Sequence, residues 1–411
     1  MKFIKKEANQ APIVDTVFAI VKKAKEAISE HGSDKVVNST IGALYDDSEK
    51  LVALNSVFDH YNAIDNRTKA NYAGSFTGND SYRKEVYNWV CGSENLDLQQ
   101  TVIATPGGTG AISMSIECIL DKGQTLIIPE IAWGSYALMA NENQYNVAKY
   151  SMFNDDKFDL DNFKKVCLEV LEKQDKLLVI INDPCHNPTG YSMSQEEWAE
   201  VVAFMNECGK KAPCVILNDI AYMDFSYNIA NSRKYMQNFN NISEDVLVII
   251  AFSCSKALTS YGLRCGAALV LAQSKEEVRN VEIVFEKFAR ATWSNIPNAP
   301  MENFVYTVTT NLDAYMKEKQ IYVDLLNKRS SVFINEAKEV GLPYYPYKEG
   351  FFVTLKIEDN QVRDEFHERL MEELIFTVKV NKGIRVAVCS LATDKCYGLA
   401  KRMKDILDTI K

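Results

Sequence analysis

The chain has 411 residues, 47% hydrophobic and 25% charged, with a formal net charge of −9. That length suits a large core and two domains at roughly 100–200 residues each. The negative balance excludes a broad basic field for nucleic acid or anionic lipid, so neither partner is expected. The ten cysteines are scattered singly, with no CxxC pair and no Cys/His cluster at zinc spacing. Reduced thiols, a cytoplasmic protein and no metal site are therefore expected. The opening "MKFIKKEANQAPIVD" has three early lysines but no apolar core, so no signal peptide is expected. The longest apolar runs are strand-sized, far below the roughly 20 residues of a membrane helix.

In chain order, residues 12–31 carry a helix pattern starting at Pro12. From about 47 to 304, short β-rich runs alternate with helical patterns. The strand candidates are Thr101–Thr105, Thr125–Pro129, Asn146–Phe153, Leu177–Asp183, Cys214–Asp219, Val246–Phe252 and Cys265–Ala272. Several are apolar without alternation, as strands covered on both faces are. One helix is predicted to begin near Gly108. Another opens at Ser194, where Glu197 completes a capping box. This alternation predicts an α/β domain with a mostly parallel seven-stranded sheet flanked by helices. After "SNIPNAP" a helical region runs from about Met301 to Val340. Strand-like Gly350–Ile357, a charged helix, strand-like Ile384–Ser390 and a final helix follow. Residues 1–46 and 305–411 are expected to pack together as a smaller α+β domain beside a large domain of residues 47–304.

Ligands of open parallel sheets sit beyond the carboxyl ends of the strands. Read there in order, the chain offers "PGGTGA", "EIAWG", "NDPCHNPTG", "NDIAY" and "SCSK". Gly108 and Thr109 open a helix whose free amides suit phosphate, although a plain turn before a helix reads the same way. Ser113 stands where a dinucleotide fingerprint starting at Gly108 needs glycine or alanine, which argues against NAD. Ser253, Ser255 and Arg264 can grip the same phosphate, the arginine as a bidentate fork. An anion between Lys256 and Arg264 would also relieve their repulsion. Lys256 is the candidate nucleophile, since a desolvated lysine forms Schiff bases. Asp219 can pair with a protonated ring nitrogen or merely cap a turn. Tyr222 and Asn187 can bond a phenolate oxygen, and Trp133 can stack on a ring. Phosphate, ring nitrogen, phenolate and lysine-bound aldehyde together describe pyridoxal 5′-phosphate.

The sequence resembles the class I aminotransferases, with the pyridoxal phosphate-dependent fold type I of the aspartate and aromatic enzymes. The resemblance covers nearly the whole chain. Its most specific part is S-x-S-K-x5-G-x-R-x-G from Ser253 to Gly266, followed by "HNPTG" at His186–Gly190 and D-x-A-Y at Asp219–Tyr222. The resemblance implies that Lys256 holds the cofactor covalently and moves the proton. It implies that Asp219 keeps the pyridine nitrogen protonated and that Tyr222 and Asn187 bond the ring oxygen. Gly108, Thr109, Ser253, Ser255 and Arg264 would form the phosphate cup, with Trp133 against the ring. Arg385 would clamp the substrate α-carboxylate, and Gly42 would lie on a segment covering the substrate. Tyr72 resembles a tyrosine that reaches the phosphate of the neighbouring subunit, which implies a homodimer with shared sites.

"RATWSN" at Arg290–Asn295 resembles a stretch whose arginine binds a substrate side-chain carboxylate from the other subunit. Arg290 is either that residue or a solvated helix end. Gly107 replaces a serine usual in the aspartate enzymes, and Leu44–Tyr45 replace their Tyr-Arg pair. Both departures leave room for aromatic substrates. The expected activity is ping-pong transfer of an amino group from an aromatic or acidic L-amino acid to a 2-oxo acid such as 2-oxoglutarate. A lyase or decarboxylase of the same fold and a non-enzymatic regulator are the competing readings.

Overall fold

The computed structural model describes residues 3–5 and 16–410. The helix expected from Pro12 is present as α1 (Thr16–His31), and its predicted start lies outside the described residues. The central feature is a sheet of seven strands. These are β1 (Gln99–Thr105), β2 (Thr125–Pro129), β3 (Asn146–Tyr150), β4 (Leu177–Asn182), β5 (Cys214–Asp219), β6 (Val246–Ser253) and β7 (Gly266–Ala272). Their spatial order is β1-β7-β6-β5-β4-β2-β3. Neighbours run parallel except around β7, which is antiparallel to both β1 and β6. Every residue of β4, β5 and β7 is buried, because apolar side chains go into a cluster on each face. Along β6, Val248 and Ile250 enter one cluster and Ile249 and Ala251 the other.

Helices cover both faces. Those used below are α2 (Gly107–Ile119), α3 (Ser135–Glu142), α4 (Gln195–Gly209), α5 (Lys275–Thr292), α6 (Asn298–Thr309) and α7 (Leu312–Val340). The capping box at the start of α4 is formed in both directions by Ser194 and Glu197, a device worth about 1 kcal/mol. Two expected elements divide. The strand expected over Asn146–Phe153 leaves the sheet at Tyr150, and Phe153–Asn154 pairs instead with Lys157–Phe158 in a separate hairpin. The helical region from Met301 to Val340 breaks at Thr310 and Asn311 into α6 and α7.

A smaller antiparallel sheet has the order β8 (Phe352–Lys356), β10 (Gly383–Ala387), β9 (Val378–Val380). Val37 joins its apolar cluster with Phe333, Val353, Phe366, Ile384 and Met403. The pairing of Val37–Asn38 with Ile375–Phe376 brings the early chain to this sheet. Helix α7 serves both regions: Tyr315, Val323 and Leu326 pack with the large sheet's core, and Phe333, Ile334 and Ala337 with the small one.

Candidate active site

At the carboxyl end of the parallel strands lies a cavity of about 450 Å³. Its walls include Gly108, Thr109, Trp133, Asn187, Asp219, Tyr222, Ser253, Ser255, Lys256, Arg264 and Arg385. The backbone explains this convergence. Each of β1, β2, β4, β5 and β6 ends at the same edge and hands the chain to a loop or helix that carries one group. The reversed strand β7 begins at that edge, so Arg264 meets Ser253 and Ser255 there. Gly266 pairs with both Ser253 and Thr105. A Cβ on Gly266 would come 2.6 Å from the Gly107 carbonyl carbon, so no side chain fits.

Lys256 follows β6 in a short helical turn and points at Gly42, donating to its carbonyl at 2.8 Å. Its amine stands 4.6 Å from the Tyr261 ring centroid and 5.5 Å from that of Tyr222. Burial pushes its pKa down to about 8, and Arg385 and Arg264 push the same way. The amine therefore sheds its proton far more readily than a surface lysine does.

Asp219 ends β5 and, among the described residues, has no cation bonded to it. Tyr136 donates to Oδ2 at 2.5 Å and the Ala221 amide to Oδ1 at 3.0 Å. Burial raises its pKa, while these two donors and Lys256 oppose the rise. Asn182 donates to the Asp219 carbonyl at 2.8 Å and accepts the Asn187 amide at 2.7 Å, locking the two loops together. Asn187 Nδ2 lies 3.5 Å from the Tyr222 hydroxyl.

Arg264 has a left-handed backbone, with φ 51°. Its Nη1 donates to Ser255 Oγ at 3.0 Å and to the Tyr261 carbonyl at 2.7 Å. Gly107, with φ 70°, lets the guanidinium close on the start of α2: a Cβ there would sit 2.6 Å from Nη2. The Ser253 hydroxyl accepts the Ser255 amide at 3.3 Å. At the opposite wall Arg385 projects from β10. It donates to the Thr40 carbonyl at 2.8 Å and to Asn187 Oδ1 at 3.3 Å, and lies 4.4 Å from the Phe352 ring centroid. Its Nε is buried without a hydrogen-bond partner among the described residues. Among the described residues, Lys256, Arg264 and Arg385 form no ion pair with a carboxylate. Three cations around one cavity, none of them ion-paired among the described residues, make a receptor for anions.

Two expected site residues are elsewhere. Tyr72 is 79% exposed and does not line the cavity. Arg290, exposed near the end of α5, donates to Ser294 Oγ at 3.1 Å and lies 4.9 Å from the Phe76 ring centroid. The two are neighbours on one surface, because Asn295 donates to the Ala73 carbonyl at 3.3 Å. Gly42 lines the cavity. Sequence reasoning missed Tyr136, Asn182 and Tyr261. Asn182 ends β4 and so satisfied the strand-end rule. Tyr136 sits one helical turn beyond Trp133, a spacing that carries no signal by itself.

The class I and II aminotransferase family model matches residues 34–403. An aspartate aminotransferase of Salmonella typhi is 24% identical over 385 residues, covering 90% of this chain and 93% of the relative. The crystal structure of an aminotransferase from Anaerococcus prevotii is 35% identical, with a TM-score of 0.95 over 98% of this chain and 99% of that one. An aromatic-amino-acid aminotransferase from Burkholderia pseudomallei, covalently bound to pyridoxal phosphate, shares the fold at 22% identity. Its TM-score is 0.78, over 97% of this chain and 98% of that one. The chain belongs to the class I and II aminotransferases and is a pyridoxal phosphate-dependent enzyme.

Proposed function

We propose that this aminotransferase moves the amino group of an aromatic or acidic L-amino acid to a 2-oxo acid, with 2-oxoglutarate as acceptor, in the cavity at the strand ends. The carrying observation is the set of three cations, none ion-paired among the described residues, spaced around one cavity that also holds Asp219. The cavity fits the cofactor at each of its functional groups. Gly108, Thr109, Ser253, Ser255 and Arg264 would hold the phosphate at the start of α2. Asp219 would keep the ring nitrogen protonated, Asn187 and Tyr222 would bond the ring oxygen, and Trp133 would lie on the ring face. When bound, the cofactor supplies an electron sink for the pair left when a proton departs.

The chain's residues do the rest. Arg385, buried and with Nε unpartnered, binds the donor's α-carboxylate and fixes its Cα–H against Lys256. Lys256 Nζ takes that proton as general base and later returns it as general acid. Its lowered pKa makes the neutral amine accessible near pH 8. Gly42 lines the cavity, and the early chain would cover it and exclude water once the substrate is bound. Residues 47–304 would form the cofactor domain, with 1–46 and 305–411 as the smaller domain that closes over the substrate.

The exposed Tyr72 and Arg290 support a homodimer in which they serve the neighbouring subunit's site. There Tyr72 would reach the phosphate, and Arg290 would bind an acidic side chain. The absence of a long apolar helix among the described residues and the scattered thiols support a cytoplasmic enzyme. Titrating the holoenzyme with single amino acids while following its visible absorbance tests the reading. True donors should discharge the Lys256-linked band, and 2-oxoglutarate should restore it. Ammonia and pyruvate released without an acceptor would instead indicate a lyase.

A further inference from the structure

Asn187 and Tyr222 stand on separate loops, after β4 and β5, with their polar ends 3.5 Å apart. That gap is too long for a strong mutual hydrogen bond and suits two groups converging on a third atom. Behind them, both loops end on one carboxylate. Ser192, beyond Asn187, donates to Glu349 Oε1 at 2.6 Å. Ser226, beyond Tyr222, donates to Oε2 at 2.6 Å, and the Tyr227 amide to the same oxygen at 2.8 Å. Both serines are buried. The backbone repeats the link: the Lys348 and Glu349 amides donate to the Gly190 carbonyl at 2.8 and 2.9 Å. Just beyond, Phe351 and Phe352 set their rings edge-on to Tyr222, with centroids 5.2 and 5.4 Å away. Residues 348–352 thus touch the Asn187 loop, the Tyr222 turn and, through Phe352, Arg385.

We propose that Glu349 is a positioning residue for amino transfer: its two carboxylate oxygens space Asn187 from Tyr222 and so set how well both bond the cofactor's ring oxygen. The inference rests on the assignment of Asn187 and Tyr222 to that oxygen. A planar carboxylate has a fixed span and takes one loop on each oxygen, which turns two independent loops into one rigid gauge. Asp183, Cys185 and Tyr227 are titratable groups that feel the Glu349 charge, and Lys348 is next to it in the chain.

The test is a pH titration of the Lys256-linked absorbance in holoenzyme. Donors to the ring oxygen favour its anionic form, so loosening them moves the absorbance pKa upward. Glu349→Ala should raise that pKa and lower kcat about tenfold or more. Glu349→Gln keeps the length, and both serine hydroxyls can turn to re-pair with it. It should return the absorbance pKa close to the native one, which a loss of bulk packing would not explain. If Glu349→Ala fails to fold, the double variant Ser192→Ala/Ser226→Ala removes two of the same bonds from the loop side and should shift the pKa in the same direction. Tyr222→Phe is the control. If it leaves the pKa in place, the ring-oxygen assignment and this inference both fall. If it raises the pKa while folded Glu349→Ala or the double variant changes only Tm, the role of Glu349 alone is overturned.

Discussion

Two lysines of this chain, both buried beside aromatic rings, differ in how their charge is met and in whether open space lies in front of them. Lys256 and Lys319 both have pKa values that burial lowers to about 8. Lys319, on α7, is fully buried 3.5 Å from Asp224, which Arg233 also pairs at 2.8 Å, and the rings of Trp89, Tyr315 and Phe225 enclose it. Its charge is answered within the protein, and no cavity reaches it among those described. Lys256 has a cavity in front, two arginines for company and a backbone carbonyl as its hydrogen-bond partner. A depressed lysine pKa therefore marks burial, and only an unanswered charge beside open space marks chemistry.

Exchanging the two roles is the strongest way to break this comparison. Lys256→Ala should abolish the absorbance band and cost at least about 10³-fold in turnover, with unfolding unchanged within about 1 kcal/mol. Lys319→Ala should do the reverse. Its turnover per folded molecule should stay near native, while denaturant unfolding shows a loss of about 3 kcal/mol from stranding Asp224 with one partner fewer. A folded Lys319→Ala protein with equally dead chemistry would erase the distinction.

The arginines extend the contrast. Arg385→Ala should lower kcat/KM for every α-amino acid about 100-fold, because the carboxylate clamp is lost, and steady-state kinetics across a donor panel would show it. Arg290→Ala should act selectively, weakening acidic donors and sparing aromatic ones in the same panel. A uniform loss would place it outside the side-chain subsite.

A pH experiment sharpens the pair further. Lys319 is depressed in the fold, so between about pH 8 and its unfolded value of 10.5 the unfolded chain binds the extra proton. Stability should therefore gain from this group as pH rises through that window. Comparing wild type with Lys319→Met in denaturant at pH 8 and pH 10 isolates the slope. In unloaded protein, Lys256 should reach half-maximal labelling by an amine reagent near pH 8. The smallest effect belongs to Gly107→Ala. Its φ of 70° costs a side chain about 1 kcal/mol, and the added methyl crowds Arg264, so cofactor affinity should weaken more than stability.

Most of the frame was legible because the sheet is buried on both faces. Uninterrupted apolar runs marked Thr125–Pro129 and Cys214–Asp219 to the residue. The strand-end rule then reached Asp219, Ser253 and Lys256 directly. Asn146–Phe153 misled because Ser151 and Met152 continue the β-rich composition after the pairing with β2 has ended. Tyr136 and Glu349 were not singled out because each acts by contact with residues far along the chain. Tyr136 reaches Asp219, and Glu349 reaches Ser192 and Ser226. No periodicity records such meetings. Arg290 and Tyr72 were legible as a resemblance, but a single chain leaves them facing outward.

The reversed strand has a consequence for how this molecule comes into being. β1 lies at the edge of the sheet, and its neighbour is β7, with Gln99 opposite Ala272. During synthesis β1 must wait for the last strand of the sheet before it can pair. Such a distant closure is slow compared with the local steps. The same closure brings Gly266 against Thr105, beside the start of α2 that is proposed to hold the cofactor's phosphate. If the proposed phosphate site depends on this pairing, colour on adding pyridoxal phosphate during refolding should develop only once β1 and β7 have paired.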